Sequence, residues 1–186
     1  MKHPLVVLCL TVLFWLGLSQ PGWAAIQEDI DLLLDTNECP VCILNETDLS
    51  GLNLANANLK IATLSSSNLS GTNLAQANLM LAYMDGTNLS NAILKGAQLN
   101  GAQLPNANLS GADLSNVEMT QANLLDADLS NTNLQGAIML AAKLGQANLK
   151  GANLKGANLR GVNRSMALFC NTVMPDGTTE NRDCEG

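Results

Sequence analysis

The sequence holds one histidine, His3, and two tryptophans, Trp15 and Trp23, and all three fall in its first 24 residues. From residue 25 onward the only aromatic side chains are Tyr83 and Phe169. A chain without histidine lacks the usual neutral-pH proton shuttle and the commonest metal ligand. No nucleophile–base pair stands out in the remainder, so the composition predicts no enzyme, no cofactor and no metal site. Charged residues are scarce as well, at 13%. Long apolar runs are limited to one, LVVLCLTVLFWLGL at residues 5–18.

That run follows Lys2 and precedes SQPGWAA, where Gly22 and Ala24 stand two positions apart in the pattern a signal peptidase reads. A leader over residues 1–24 is expected, cut after Ala24, because a cut after Ala25 would place Trp23 at a restricted position. Fourteen apolar residues are few for a membrane span, which leaves an uncleaved anchor as the lesser alternative. There is no twin arginine, so the general secretory route applies. Cys9 lacks the small preceding residue of a lipoprotein. Loss of Lys2 leaves eight bases against sixteen acids, a net charge of −8 on an exported chain with no membrane attachment.

What remains is a repeat. Residues 147–161 read ANLKGANLKGANLRG, and a period of five fits neither a helix nor a plain strand. Stepping by five from Leu44 to Leu159 gives 24 centres, all Leu except Met84, Met119 and Met139. Two residues before the centre stands a small residue in nearly every unit, Ala in 16 of the 24 with Leu52 and Val117 as departures, so centre and small residue share one side of an extended backbone. Asn or Asp precedes the centre in 15 units, and Gly follows it by two in ten. These residues tolerate left-handed backbone and bond locally, so each unit reads as a short strand and a corner. The result is a coil with Leu and Ala inside and Asn, Ser, Lys and Gly outside.

Ser50, Ser70, Ser90, Ser110 and Ser130 recur at intervals of twenty. Residues twenty apart are therefore expected to stack, which gives four units to a square coil and six coils in all. At about 4.8 Å between stacked strands such a column is roughly 29 Å long.

The word Ala-Asn/Asp-Leu-x-x, as in ANLKG and ADLSN, resembles the pentapeptide-repeat family over about 120 of the 162 residues that follow the leader. The resemblance implies an all-β solenoid, a right-handed quadrilateral β-helix. The flanks TNECPVCIL and FCNTVMPDGTTENRDC are similar to those of exported cyanobacterial and thylakoid-lumenal members, which implies a thylakoid lumen or periplasm. The expected organisation is a leader at 1–24, an N-terminal cap with a short helix at 25–41, the β-helix at 42–163 and a C-terminal cap at 164–186. In the first cap Ile26, Ile30, Leu33 and Leu34 have helical spacing. At the other end Arg164 takes a centre position, which is expected to stop the coil. Phe169 returns to register, and MPDGT reads as a tight turn.

Four cysteines follow the leader: Cys39, Cys42, Cys170 and Cys184. Four allow three pairings. A disulfide needs Cα atoms within about 7 Å, and the two pairs stand at opposite ends of the expected column. Cys39–Cys42 and Cys170–Cys184 are then the intramolecular choices, and a four-cysteine zinc site is excluded. Cys39-Pro-Val-Cys42 also admits a thiol–disulfide exchange site, although such a motif normally precedes a helix and here follows one.

Residues 42–161 carry seven acids and six bases. A DNA duplex of the column's length carries about 17 negative charges along its axis, so neither mimicry of DNA nor nucleic-acid binding is expected. The carboxylates are too scattered for a calcium site. Charge is segregated: seven acids and no base from Glu28 to Asp48, five bases and no acid from Lys143 to Arg164. This suits either soluble ends or head-to-tail contact. Outward apolar residues mark a candidate partner patch of Ile61, Met80, Leu81 and Tyr83, with Leu125, Ile138 and Leu140 a second outward group. The reading is a non-catalytic structural or protein-interaction module of unspecified partner. Intact-mass measurement of the exported protein is expected to give a chain that begins at Ala25.

Overall fold

The computed structural model describes residues 21–184. The expected leader falls mostly outside them. Helix α1, Pro21–Thr36, comes first, with Pro21 at a position where its missing N–H costs nothing. It ends at Asn37, whose left-handed backbone (φ 60°) lets its N–H donate to Leu33 O at 2.9 Å, a common helix terminus. Ile30 and Leu33 are buried in the apolar core and Ile26 packs against it, but Leu34 is exposed. Residues 26, 30 and 33 share one stripe at 100° per residue, whereas 34 lies on its flank. Of the four residues at helical spacing, Leu34 is therefore the one that does not enter the core.

Beyond Asn37 the chain winds into a β-helix. Parallel bridges join residues twenty apart in four ladders, for example Glu38–Asn58–Asn78, Ile43–Thr63–Tyr83, Asp48–Asn68–Asn88 and Asn53–Asn73–Ile93. The square coil follows directly from these four ladders. Each side is held as at Thr63, whose N–H donates to Cys42 O at 2.9 Å and whose carbonyl accepts from Leu44 N–H at 2.7 Å. At the corner, Glu46 N–H donates to Ser65 O at 3.0 Å.

Corners are four-residue turns closed as in Ala57 N–H to Leu54 O, 3.1 Å. The second residue after each centre is left-handed, including Asn56, Gly71, Asn91 and Gly151, which is a type II turn. Asn and Gly at that position follow from the conformation. The Asn or Asp before the centre has a different task. Asn68 Oδ1 accepts from Ser70 N–H at 3.2 Å and from Asn88 Nδ2 at 3.1 Å, while its own Nδ2 donates to Asp48 Oδ1 at 3.1 Å. One side chain thus steadies its own corner and links three coils.

Inside, Leu and Ala layers are almost fully buried. Where Thr replaces Ala, the hydroxyl donates to a carbonyl, either of the coil below (Thr72 to Leu49 O, Thr87 to Leu64 O, Thr172 to Leu149 O, at 2.7–2.8 Å) or of its own corner (Thr132 to Leu129 O, 2.7 Å). A buried hydroxyl needs such a partner.

The ladder is longer at both ends than residues 42–163. Cys39 is fully buried in a centre slot, and Glu38 bridges Asn58. At the far end Arg164 is exposed, as its charge requires, but Leu168 and Val173 still bridge Asn148 and Asn153. Phe169 fills the centre slot above Leu149 and is buried. Strand β1, Thr172–Val173, then pairs antiparallel with β2, Thr179–Glu180. Gly177 N–H closes the intervening turn on Met174 O at 2.9 Å.

Leu94→Ala is expected to lower stability by about 3 kcal/mol in urea unfolding, because a buried layer loses its filling. Gly156→Ala meets nothing within 4 Å at φ +73°, so it should cost only about 1 kcal/mol of left-handed strain.

Candidate binding surface

The structure brings the candidate patch together at one corner and the side beside it. Ile61 and Leu81 occupy stacked left-handed corner positions at φ 61° and 58°. Both are exposed, Met80 is half-buried, and Tyr83, 52% exposed, lies one strand step along. Two residues that sequence reasoning missed extend the patch. Val41, φ 67° and 64% exposed, stacks beneath Ile61, and Ile43 bridges Thr63 below Tyr83. The signal is present in the sequence, since 41 lies twenty before 61, one position outside the expected start of the β-helix at residue 42. Ile93 is also exposed, on a different ladder.

The corner column is costly. Val41 and Ile61 are β-branched, and a left-handed backbone costs an L-residue roughly 1–2 kcal/mol. Stacking offsets part of this, and Leu81 leans over the next coil, where a Cβ on Gly101 would lie 2.7 Å from Leu81 Cδ2. Thr63 Oγ1, between Ile43 and Tyr83, is buried without a hydrogen-bond partner. The second outward group does not assemble: Ile138 belongs to the Glu118–Asn158 ladder, whereas Leu125 lies over Gly145 at a corner of another side.

Both disulfides form as paired above, Cys39–Cys42 with Cα atoms 5.4 Å apart and Cys170–Cys184 with 4.7 Å. Asp29, Cys39 and Cys42 are the one group of metal-ligating residue types close together among the described residues. Their sulfurs are bonded to each other and offer no thiolate to an ion. Both sulfurs are buried, and Asp29 is already engaged, its Oδ2 accepting from Ile43 N–H at 2.7 Å. A reactive Cys-x-x-Cys needs an accessible, electropositive setting, and this one is neither.

Carboxylates close both ends of the column. Asp29 takes the edge amide of Ile43, and Asp183 Oδ2 takes that of Phe169 at 2.9 Å. The Phe169 N–H, helped by Arg182, holds the Asp183 carboxyl below the ordinary aspartate range. Arg182 stacks its guanidinium 4.5 Å from the Phe169 ring centre and donates to the Arg164 and Ala167 carbonyls at 2.5 and 2.6 Å. Sequence reasoning found neither Asp29 nor Arg182, because both act on backbone groups that the repeat itself does not mark.

The family model for pentapeptide repeats matches residues 42–79, 81–111, 102–139 and 137–174, in eight copies. The chain belongs to the pentapeptide-repeat family. Among solved pentapeptide-repeat structures, Rfr23 from the cyanobacterium Cyanothece 51142 is 28% identical over 81% of this chain and 99% of its own, at a TM-score of 0.51. HetL, from the cyanobacterium Nostoc sp. strain PCC 7120, is 23% identical over 77% of this chain and 91% of its own, at 0.53. A pentapeptide-repeat protein of the Arabidopsis thaliana thylakoid lumen is 32% identical over 64% and 69%, at 0.25. No curated protein matches the chain. Family membership brings with it the right-handed quadrilateral β-helix.

Replacing Cys170 and Cys184 by serine should cost about 3 kcal/mol in urea unfolding, the loop-entropy value for a ring of this size. Asp183 has a depressed carboxyl, so its support is present above the ordinary aspartate value and lost as pH falls through its own lower one. The Phe169 amide proton shift should therefore titrate with a midpoint below about 3.9, and Asp183→Asn should abolish the titration.

Proposed function

We propose that this protein is a non-catalytic structural and protein-interaction module that works in an exported compartment, a thylakoid lumen or periplasm. Its repeat forms about six coils, with α1 as the lid of the first and the hairpin of β1 and β2 as the lid of the last. The observation that carries the reading is the corner column of Val41, Ile61 and Leu81. Apolar side chains, two of them β-branched, stand where the adjacent corners hold Glu46, Asn56, Ser66, Gln76 and Gly86. Strain retained at a surface position fits a role for that surface. The partner site then comprises Ile61, Met80, Leu81 and Tyr83, extended by Val41 and Ile43, with exposed Lys60 beside Ile61.

Export is supported by the leader pattern and by two disulfides, which persist in oxidising compartments. Family membership supports a module without catalysis. A redox role through Cys39 and Cys42 is the alternative, and the burial of both sulfurs weighs against it.

The test is crosslinking in the exporting cell, followed by mass spectrometry, with wild type beside a Met80→Lys/Leu81→Lys variant. A discrete partner lost in the variant is the expected result. The same partner in both samples would remove this patch from the proposal.

A further inference from the structure

The corner that carries Val41, Ile61 and Leu81 continues through Gly101, Gln121, Ala141 and Gly161, all left-handed and twenty residues apart. A corner amide ties each to the coil above, from Val41 N–H on Lys60 O to Ala141 N–H on Arg160 O, both at 2.9 Å. Along this one edge the side chains pass from large and apolar to small, with Gly101 in the middle. Ala141 and Gly161 are exposed and stand in the wall of a cavity of about 270 Å³. On the side beside this corner the ladder runs Ile43–Thr63–Tyr83–Gln103–Asn123–Lys143. The rung beyond Lys143 is absent: Asn163 to Met166 are exposed, and among the described residues the Leu144 amide has no partner.

Charge divides in the same way when it is placed coil by coil around this edge. The two lowest turns past the corner, residues 38–46 and 58–66, carry Glu38, Glu46 and Lys60. The two highest, residues 138–146 and 158–166, carry Lys143, Arg160 and Arg164 and no acid, with Glu118 and Asp126 one coil below. Glu38, Glu46, Lys143, Arg160 and Arg164 are all exposed. One end of the surface is therefore a ridge of large apolar side chains edged by carboxylates. The other is a row of small corners edged by guanidinium groups.

We infer that this surface pairs with the same surface of a second copy of the chain, the two columns lying side by side and antiparallel about a two-fold axis at Gly101 and Gln103. The inference rests on the reading of the corner column as a partner site and names the partner. Two-fold symmetry makes the contact self-complementary. Val41 of one copy meets Gly161 of the other, Ile61 meets Ala141, Leu81 meets Gln121, and Gly101 meets its own counterpart on the axis. The large corners thus fill the places that the small ones leave. At the two edges of the contact Glu38 comes beside Arg160 and Glu46 beside Arg164, each pair formed twice. A parallel pair would instead set Ile61 on Ile61 and Leu81 on Leu81, ridge against ridge, with the small corners held apart and like charges aligned. Six intervals of about 4.8 Å give the contact a length of roughly 29 Å.

The test is the mass of the full exported chain in solution, measured by light scattering over a dilution series. Wild type is expected to reach twice the chain mass and to dissociate more readily as salt rises, because ion pairs edge the contact. Met80→Lys/Leu81→Lys should be monomeric. Ile61→Ala and Ala141→Ile should each weaken pairing about tenfold, the first by emptying the contact and the second by overfilling it. In the double variant Ile61→Ala/Ala141→Ile the exchanged sizes face each other again, and affinity should return to within about threefold of wild type. Only the antiparallel register gives that rescue. Both positions are exposed and already left-handed with a side chain in place, so the column accepts the changes. A chain that stays monomeric at every concentration, or a double variant no better than its single ones, would overturn the proposal. A monomer that still captures a different protein through Met80 and Leu81 in the cell would remove the second copy and leave the partner site standing.

Discussion

Everything in this column depends on a left-handed residue at each corner. A type II turn bends the chain in four residues, and one more step returns it to an extended side with its Leu facing inward. Four such steps bring the backbone into hydrogen-bonding distance of itself twenty residues on. A different period would drop the inward Leu out of the layer below. The conformation therefore sets which side chains the corner accepts, and Gly and Asn dominate because they bear least strain there.

A stack of open coils has two edges with unpaired amides and exposed apolar layers, a liability for any sheet. The two ends solve it with the same chemistry on unrelated elements. Asp29 from helix α1 and Asp183 from the C-terminal segment each place a carboxylate on an edge amide; the Cys170–Cys184 disulfide ties the C-terminal segment to its coil, whereas Cys39–Cys42 lies within the first coil. The C-terminal solution has an added element in Arg182, which covers Phe169 and takes up two carbonyls left by the detached segment. The same arginine that needs no apolar slot thereby compensates for Arg164, which could not occupy one.

Against so regular a surface, departures are conspicuous. Val41, Ile61 and Leu81 form an apolar corner where the conformation opposes them, and the rung beyond Lys143 is absent where the rest of its side is complete. The first departure presents side chains and the second presents backbone. They lie at different heights of the column and do not depend on each other. A repeat scaffold allows this because each coil contacts mainly its neighbours, and a local change propagates little.

The five-residue word by itself determined the coil, the inward Leu and Ala layers and the twenty-residue register, because each follows from local backbone preference and side alternation. It also reached the apolar patch in part, through Ile61 and Leu81, and the two disulfide pairings once the column separated their ends. The tertiary structure alone decided where the column begins and ends. Cys39 reads as flank in sequence yet fills a centre slot, and Leu34 has helical spacing yet faces solvent. It decided as well which amides the carboxylates of Asp29 and Asp183 meet and which amides near Leu144 stay open. Those outcomes turn on contacts between segments that no local pattern relates, so only the folded chain brings them together.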